Sequence, residues 1–276
     1  MQVLISTGVN MREKPNGLKN EQFLPRPMSL PFALILFGAS ALIFRFCVYS
    51  LLPKLMSSGL VPFWSFLVSY SLVLVLTAIA SLIGFRLEGY PMTLNAFAQR
   101  FRFHHMQGKE WLWILGLFLL GFLLTGPLIF TAQAIAQIPI FSPPAFLPSV
   151  VNPLTPPIGK LTEFMGISLP GKWWLAGVYF IFLTGFNIFC EELWFRGYIL
   201  PRQEITHGRW TWVIHGVLWT LFHVQVYPWY LIYLLPTALT VTFAAQQFRN
   251  TWASYAVHFL GNGILVMIPI VIGIAG

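Results

Sequence analysis

The sequence predicts an all-α protein, a polytopic transmembrane helix bundle of about seven spans (seven to eight). The 276 residues are 57% hydrophobic and only 9% charged, with a mean hydropathy of +0.73. A soluble domain is roughly a quarter charged, so this composition indicates an integral membrane protein. Several apolar stretches also reach the roughly 20 residues that a helix needs to cross a bilayer.

Seven apolar segments follow one another along the chain. They are residues 30–52, 61–85, 111–136, 173–200, 211–226, 229–246 and 251–274. The fifth is short and reaches the sixth through Tyr227-Pro228, so these two are expected to form a tight hairpin or a partly re-entrant pair. Gly261 and Gly263 in the seventh segment are expected to permit close helix contact.

The domain organisation predicted from these segments is one integral membrane domain, residues 29–276, after a polar tail, residues 1–28. Residues 29–172 hold the N-terminal spans and an outer loop, 137–171, whose proline density prevents a long helix. Residues 173–276 hold the late spans, which carry the polar residues considered below.

The basic residues fall in loops between the apolar segments, which argues against a nucleic-acid partner despite the net charge of +8. With the N-terminus inside, the inner side carries most Lys and Arg, and the outer side only Lys54, Lys160 and Lys172. This asymmetry predicts a cytoplasmic N-terminus and an opposite C-terminus, in a bacterial-type plasma membrane. Membrane lipid is the expected partner, and another membrane protein is a candidate.

The fourth span ends in an unusual run of charges, Glu191, Glu192 and Arg196, after a stretch with none. Ionisable residues inside a span are costly and indicate a functional site by default. Glu192 and Arg196 are four apart and can pair on one helix face, whereas Glu191 lies about 100° around the helix. One carboxylate is therefore neutralised and the other left free. The alternative is an ion pair that merely ends a helix.

Further polar residues lie in the late spans. His223 lies near the end of the fifth segment, and His258 and Asn262 lie four apart on one face of the seventh. A single intramembrane histidine is more often a hydrogen-bonded packing residue, and His215 is treated as packing or interfacial. Two histidines, an asparagine and a free glutamate on three spans are harder to assign to packing, since each needs a buried partner.

Two chemistries fit these residue types. A carboxylate beside a histidine can deprotonate water, while a histidine and an asparagine can donate to a carbonyl oxygen that becomes negative. Alternatively, Glu191, His223 and His258 are three ligands of a catalytic zinc, so the donor set admits one Zn²⁺ without requiring it. The chain has no aspartate, no His-Glu-x-x-His and no Gly-x-Ser-Gly, which counts against other intramembrane hydrolase mechanisms.

Three ordered motifs resemble the CAAX protease and bacteriocin-processing family, also called the Abi family, which includes the Ras-converting CAAX endopeptidases. They are Glu191-Glu192-x-x-x-Arg196, Trp219-x-x-x-His223 and His258-x-x-x-Asn262. In the second motif, tryptophan replaces the usual phenylalanine, a change expected to keep an aromatic wall. The resemblance covers about residues 173–274.

The resemblance implies that Glu191 and His223 activate water, that His258 and Asn262 hold the oxyanion, and that Glu192 and Arg196 are structural. The family has been described both as metalloproteases and as metal-independent glutamate proteases, and the sequence leaves both open. The expected function is an intramembrane endopeptidase that cuts a membrane-embedded or lipid-modified protein. The alternative is a non-catalytic membrane scaffold or bacteriocin-immunity-type protein of the same fold.

Overall fold

Helices make up most of the structure, which confirms the all-α prediction. The computed structural model describes residues 25–155 and 161–276, except the side chain of Asn262, and 77% of it is helical. The predicted tail is thus described only from residue 25, and Lys160 and Pro156-Pro157 of the outer loop also lie outside the described residues.

The α-helices of the described residues follow in chain order. They are α1 (Leu30–Phe46), α2 (Leu52–Ser57), α3 (Pro62–Leu87), α4 (Leu94–Arg100), α5 (Gly108–Thr125), α6 (Ile129–Ala136), α7 (Trp173–Val178), α8 (Asn187–Glu192), α9 (Leu200–His207), α10 (Thr211–Val224), α11 (Leu235–Phe248), α12 (Thr251–His258) and α13 (Val266–Ala275).

Four π-helical segments join some of these helices end to end. They are Cys47–Leu51, Tyr179–Phe186, Leu193–Ile199 and Phe259–Leu265. Such segments are rare and occur frequently at functional sites. Three of them adjoin α8 or α12, the helices that carry Glu191, Glu192 and His258.

The outer loop contains no long helix in its described part, as its prolines predict. Short 3₁₀ turns form at Pro139–Phe141 and Ser149–Val151. Strands β1 (Glu163–Phe164) and β2 (Ile167–Ser168) then pair antiparallel. The remaining 3₁₀ turns lie elsewhere in the chain, at Gly126–Leu128, Gly208–Trp210 and Pro228–Tyr230.

Five helical runs are long and apolar enough to cross a membrane, which confirms a multi-pass protein. They are Leu30–Ser57, Pro62–Leu87, Gly108–Ala136, Trp173–Val224 and Thr251–Ala275. The fourth run contains both the predicted fourth and fifth segments, with a turn at Gly208, where φ is +57°.

Of the seven predicted segments, two lie in the fourth run, and the one that contains α11 is not among the five runs. The helices α10 and α11 have 14 residues each. At 1.5 Å per residue, each is about 21 Å long, short of the roughly 30 Å hydrocarbon core. The two helices pack against each other across the Pro228–Tyr230 turn, which confirms the predicted hairpin.

Charged side chains that are distant in sequence form ion pairs near the C-terminal end of the π-helical segment that follows α8. Arg100 binds Glu88 through two hydrogen bonds of 2.6 and 3.0 Å and donates to the carbonyl of Gly197. Arg102 binds Glu204 in the same bidentate way. The bond from Arg100 to Gly197 connects α4 to the helical run that carries Glu191 and Glu192.

Gly261 and Gly263 of the seventh segment have different surroundings in the structure. A Cβ on Gly263 would overlap Cγ2 of Thr184, so the predicted close helix contact is confirmed there. The prediction is wrong for Gly261, where a Cβ would meet no described atom within 4 Å from outside the local helix backbone. Gly261 instead lines a cavity.

Candidate active site

Glu192 and Arg196 form a fully buried ion pair, as their spacing predicts. Glu192 Oε1 accepts a 3.1 Å hydrogen bond from Arg196 Nη1, and the two side chains are 1% and 0% exposed. Arg196 also donates to Thr242 Oγ1 on α11 at 3.3 Å and lies over the Trp219 ring, 4.1 Å from its centre. A charge at this depth is tolerable only when it is paired in this way.

Glu191 points to a different partner set, as predicted from its angular separation. Its Oε1 accepts a 2.6 Å hydrogen bond from Trp219 Nε1 on α10. His223 Nε2 lies 3.7 Å from the same oxygen. The Glu191 and His223 side chains are 9% and 13% exposed, so this half of the cluster reaches the protein surface while Glu192 and Arg196 do not.

The hydrogen bond made by Nδ1 of His223 sets the orientation of its ring. Nδ1 lies 2.9 Å from the backbone carbonyl of Trp219. A carbonyl oxygen only accepts, so Nδ1 carries a proton, and in the neutral ring Nε2 is then an acceptor. The acceptor nitrogen of His223 therefore faces the Glu191 carboxylate.

His258 forms a hydrogen bond with Glu192, not with Glu191. Its Nδ1 donates to Glu192 Oε1 at 2.9 Å, and its ring meets the Trp219 ring edge-on with the centres 5.1 Å apart. The backbone of Asn262 lies one turn further, in the π-helical segment after α12, and its side chain is outside the described residues. The structure thus gathers Glu191, His223, Glu192, Arg196 and His258 around one tryptophan.

The predicted zinc ligands do not form a three-ligand set in the described structure. Glu191 and His223 face each other, but Nδ1 of His258 is directed to Glu192 instead. Among the described residues, no group of three His, Cys, Asp or Glu side chains is arranged to hold one metal ion.

His215 is a packing residue, in agreement with the sequence analysis. It is fully buried, its Nδ1 lies 2.5 Å from Gln203 Oε1, and its ring meets Phe37 edge-on.

The role of Trp219 as a hydrogen-bond donor was missed in the sequence analysis. The sequence offered one indication of this role, because position 219 holds tryptophan where the family motif has phenylalanine. Tryptophan has an indole N–H that can donate a hydrogen bond, and phenylalanine has none.

A cavity of about 490 Å³ lies beside the helical run that carries His258. Val257 and Gly261, which flank His258 in sequence, line it together with side chains of α5 and α11 and with part of the outer loop. Its other walls are mainly aliphatic and aromatic, with several threonines. Glu191 and His223 do not line this cavity.

Comparison with known proteins finds a similarity to the same family that the three motifs resemble. Residues 172–264 match the family model described as type II CAAX prenyl endopeptidase Rce1-like. No curated protein and no solved structure gave a significant match. The matched segment contains all three motifs and the described side chains around Trp219. The match agrees with the resemblance found from the motifs: residues 172–264 are similar to this family, and they lie within a multi-pass membrane protein.

Proposed function

We propose that the protein is an intramembrane endopeptidase that hydrolyses a peptide bond of a membrane-embedded or lipid-modified protein, with water activated by Glu191 and His223. The observation that carries this proposal is the 3.7 Å separation of Glu191 Oε1 and His223 Nε2, whose side chains are less deeply buried than those of Glu192 and Arg196. A general base must reach its water at about 2.6–3.2 Å, and one water beside both atoms satisfies that distance for each.

The reaction follows from the hydrogen-bonding capacity of these two groups. One water hydrogen is directed to the Glu191 carboxylate and the other to His223 Nε2, which is an acceptor in the tautomer described above. As the water oxygen adds to the peptide carbonyl carbon, Glu191 takes the proton. When the carbon–nitrogen bond breaks, the Glu191 carboxyl gives that proton to the leaving nitrogen. The products are an acid and an amine, and Glu191 returns to its initial state.

The oxyanion formed in the addition step needs donors, for which we propose His258 and Asn262. His258 Nδ1 already donates to Glu192. For Nε2 to donate as well, the ring must be an imidazolium, and the adjacent Glu192 carboxylate supplies its counter-charge. The four charges of Glu191, Glu192, Arg196 and imidazolium His258 then cancel, which favours their coexistence in a low-dielectric site.

The proposed substrate carries an apolar part. The helical runs that are long and apolar enough to cross a membrane expose many large hydrophobic side chains. A lipid-modified tail or a membrane-embedded segment suits these surfaces better than a soluble peptide does. We derive no step through a metal ion, because the candidate ligands do not form a three-ligand set.

The test is cleavage by the purified protein in detergent. The probe is an internally quenched peptide with a farnesylated C-terminal Cys-aliphatic-aliphatic-X tail, compared with the same peptide without farnesyl. Glu191→Gln and His223→Ala are expected to lower the rate roughly 100- to 10,000-fold, the usual contribution of general acid–base catalysis. Glu204→Gln, which alters a glutamate paired with Arg102 away from the site, serves as the control.

A Glu191→Gln protein that cleaves at the wild-type rate would overturn the proposal. If neither peptide is cleaved, proteomes of membranes containing wild-type or Glu191→Gln protein are compared. Accumulation of an uncut membrane protein with Glu191→Gln supports the endopeptidase, whereas identical proteomes favour the non-catalytic scaffold.

A further inference from the structure

Trp219 occupies the centre of the charge cluster and contacts both of its halves. Its side chain is completely buried. The indole Nε1 donates to Glu191 Oε1 at 2.6 Å, and the backbone carbonyl of the same residue lies 2.9 Å from His223 Nδ1. The face of the ring meets the Arg196 guanidinium at 4.1 Å.

We propose that Trp219 is the positioning residue of this site, because it orients Glu191 and His223 together for their action on water. Its role is thus more than the aromatic wall expected from the sequence. The catalytic consequence rests on the proposed function. The hydrogen bond itself does not, and it can be tested separately.

The geometry assigns a separate task to each polar atom of Trp219. The indole N–H fixes Oε1 of Glu191, the oxygen that lies 3.7 Å from His223 Nε2 and beside which the proposed water is held. The carbonyl fixes the tautomer and plane of His223, so that its Nε2 faces the carboxylate. Both contacts come from one residue on a packed helix, so the separation of the two catalytic groups depends little on other parts of the chain.

Phenylalanine at position 219 would preserve only part of this arrangement. A phenyl ring can still pack against Arg196, and its backbone carbonyl can still hold His223. It has no N–H, however, so the Glu191 carboxylate would lose its one described donor and turn more freely. The inference therefore concerns the indole nitrogen specifically, not the presence of an aromatic ring.

Other charged or titratable groups near Glu191 do not replace this donor. His223 offers an acceptor nitrogen, and Arg196 and His258 are engaged with Glu192. α3, which packs against α8, brings only Tyr70 and Arg86 as titratable side chains.

The first experiment tests the hydrogen bond without any substrate. In ¹⁵N-labelled protein, the indole signal that disappears in Trp219→Phe is assigned to Trp219. We expect its proton to resonate downfield in the wild type, as a donor to a carboxylate does, and to move upfield in Glu191→Ala. An indole signal that keeps its position in Glu191→Ala would overturn the inference.

The second experiment tests the consequence for catalysis with the farnesylated peptide. We expect Trp219→Phe to lower kcat roughly 10- to 100-fold, the effect of losing one hydrogen bond to a charged group, with KM little changed. Trp229→Phe is the matched control, because Trp229 is also fully buried and donates its indole N–H, at 3.1 Å, but to the carbonyl of Val151 in the outer loop. This control is expected to retain the wild-type kcat.

A second variant removes the N–H while keeping the size of the ring. Benzothienylalanine at position 219, incorporated by suppression of a stop codon, has sulfur in place of the N–H. It is expected to reproduce the loss of kcat even if Trp219→Phe does not fold. A wild-type kcat with benzothienylalanine overturns the positioning role. If Glu191→Gln is inactive in the same assay, the proposed function survives that result, whereas a fully active Glu191→Gln refutes the proposed function itself.

Discussion

Replacement of Arg196 by alanine is expected to destabilise the protein by about 3 kcal/mol. Removal of one partner from a buried ion pair typically costs about 3–5 kcal/mol, because the other charge stays buried without compensation. Glu192 would be in this position, since its side chain is 1% exposed and Arg196 Nη1 lies 3.1 Å away. His258 Nδ1 still donates to Glu192, which places the expected loss at the lower end of the range.

The measurement is thermal unfolding of purified protein in one detergent. At roughly 2–4 °C per kcal/mol for a chain of this size, Arg196→Ala should lower Tm by about 6–12 °C. Arg102→Ala is the matched control, because Arg102 also pairs with a glutamate, Glu204, but the two side chains are 15% and 14% exposed. Its effect should be within about 1 kcal/mol. Glu191→Gln should leave Tm nearly unchanged, since glutamine can still accept from Trp219.

Two results would refute this reasoning. An Arg196→Ala protein that melts at the wild-type temperature would mean that the Glu192 carboxylate does not need its guanidinium partner. A larger fall in Tm for Glu191→Gln than for Arg196→Ala would reverse the structural and catalytic roles proposed for these residues.

Three further predictions concern metal, packing and topology. Treatment with 1,10-phenanthroline should leave peptide cleavage unchanged, because Glu191, His223 and His258 are not arranged as three ligands of one ion; a lost rate that Zn²⁺ restores would contradict this. Gly263→Val should cost about 1–3 kcal/mol in a melting experiment, whereas Gly261→Val should cost much less, because only at Gly263 would a Cβ meet Thr184. A reporter fused after Gly276 should lie outside the cell, and a cytoplasmic signal would refute the predicted orientation.

Local features of the structure were predictable from the sequence. Spacing of four residues places Glu192 and Arg196 on one helix face whatever the helix packs against, and the pair is present. The apolar segments likewise predicted the helices. Hydropathy did not reveal that α10 and α11 end after 14 residues each and pack against each other.

Contacts between helices were harder to predict from the sequence. The side of α12 that meets α8 depends on the rotation and offset of both helices, so the His258–Glu192 hydrogen bond could not be derived from spacing. The same limit explains the error at Gly261, since two glycines two residues apart face different neighbours. Trp219 shows a different limit: an aromatic ring was expected there, but the sequence does not show that the indole N–H donates to Glu191 on another helix.

The contact between His258 and Glu192 leads to the last prediction, that Glu192 contributes to catalysis as well as to stability. Glutamine at position 192 keeps an oxygen that can accept from Arg196 and from His258 Nδ1. It removes the negative charge that would stabilise an imidazolium at His258 during formation of the oxyanion. Glu192→Gln should therefore lower kcat for the farnesylated peptide by roughly 10- to 100-fold, as expected for loss of a charge-assisted hydrogen bond.

A double-mutant cycle separates this effect from destabilisation. If Glu192 acts through His258, the kcat losses of Glu192→Gln and His258→Ala should not add, with a coupling energy of about 1–3 kcal/mol, as for residues in one hydrogen-bond network. Each variant is assayed well below its own Tm, so that only folded protein contributes. Fully additive losses would show that Glu192 supports the fold alone and that His258 acts without its counter-charge.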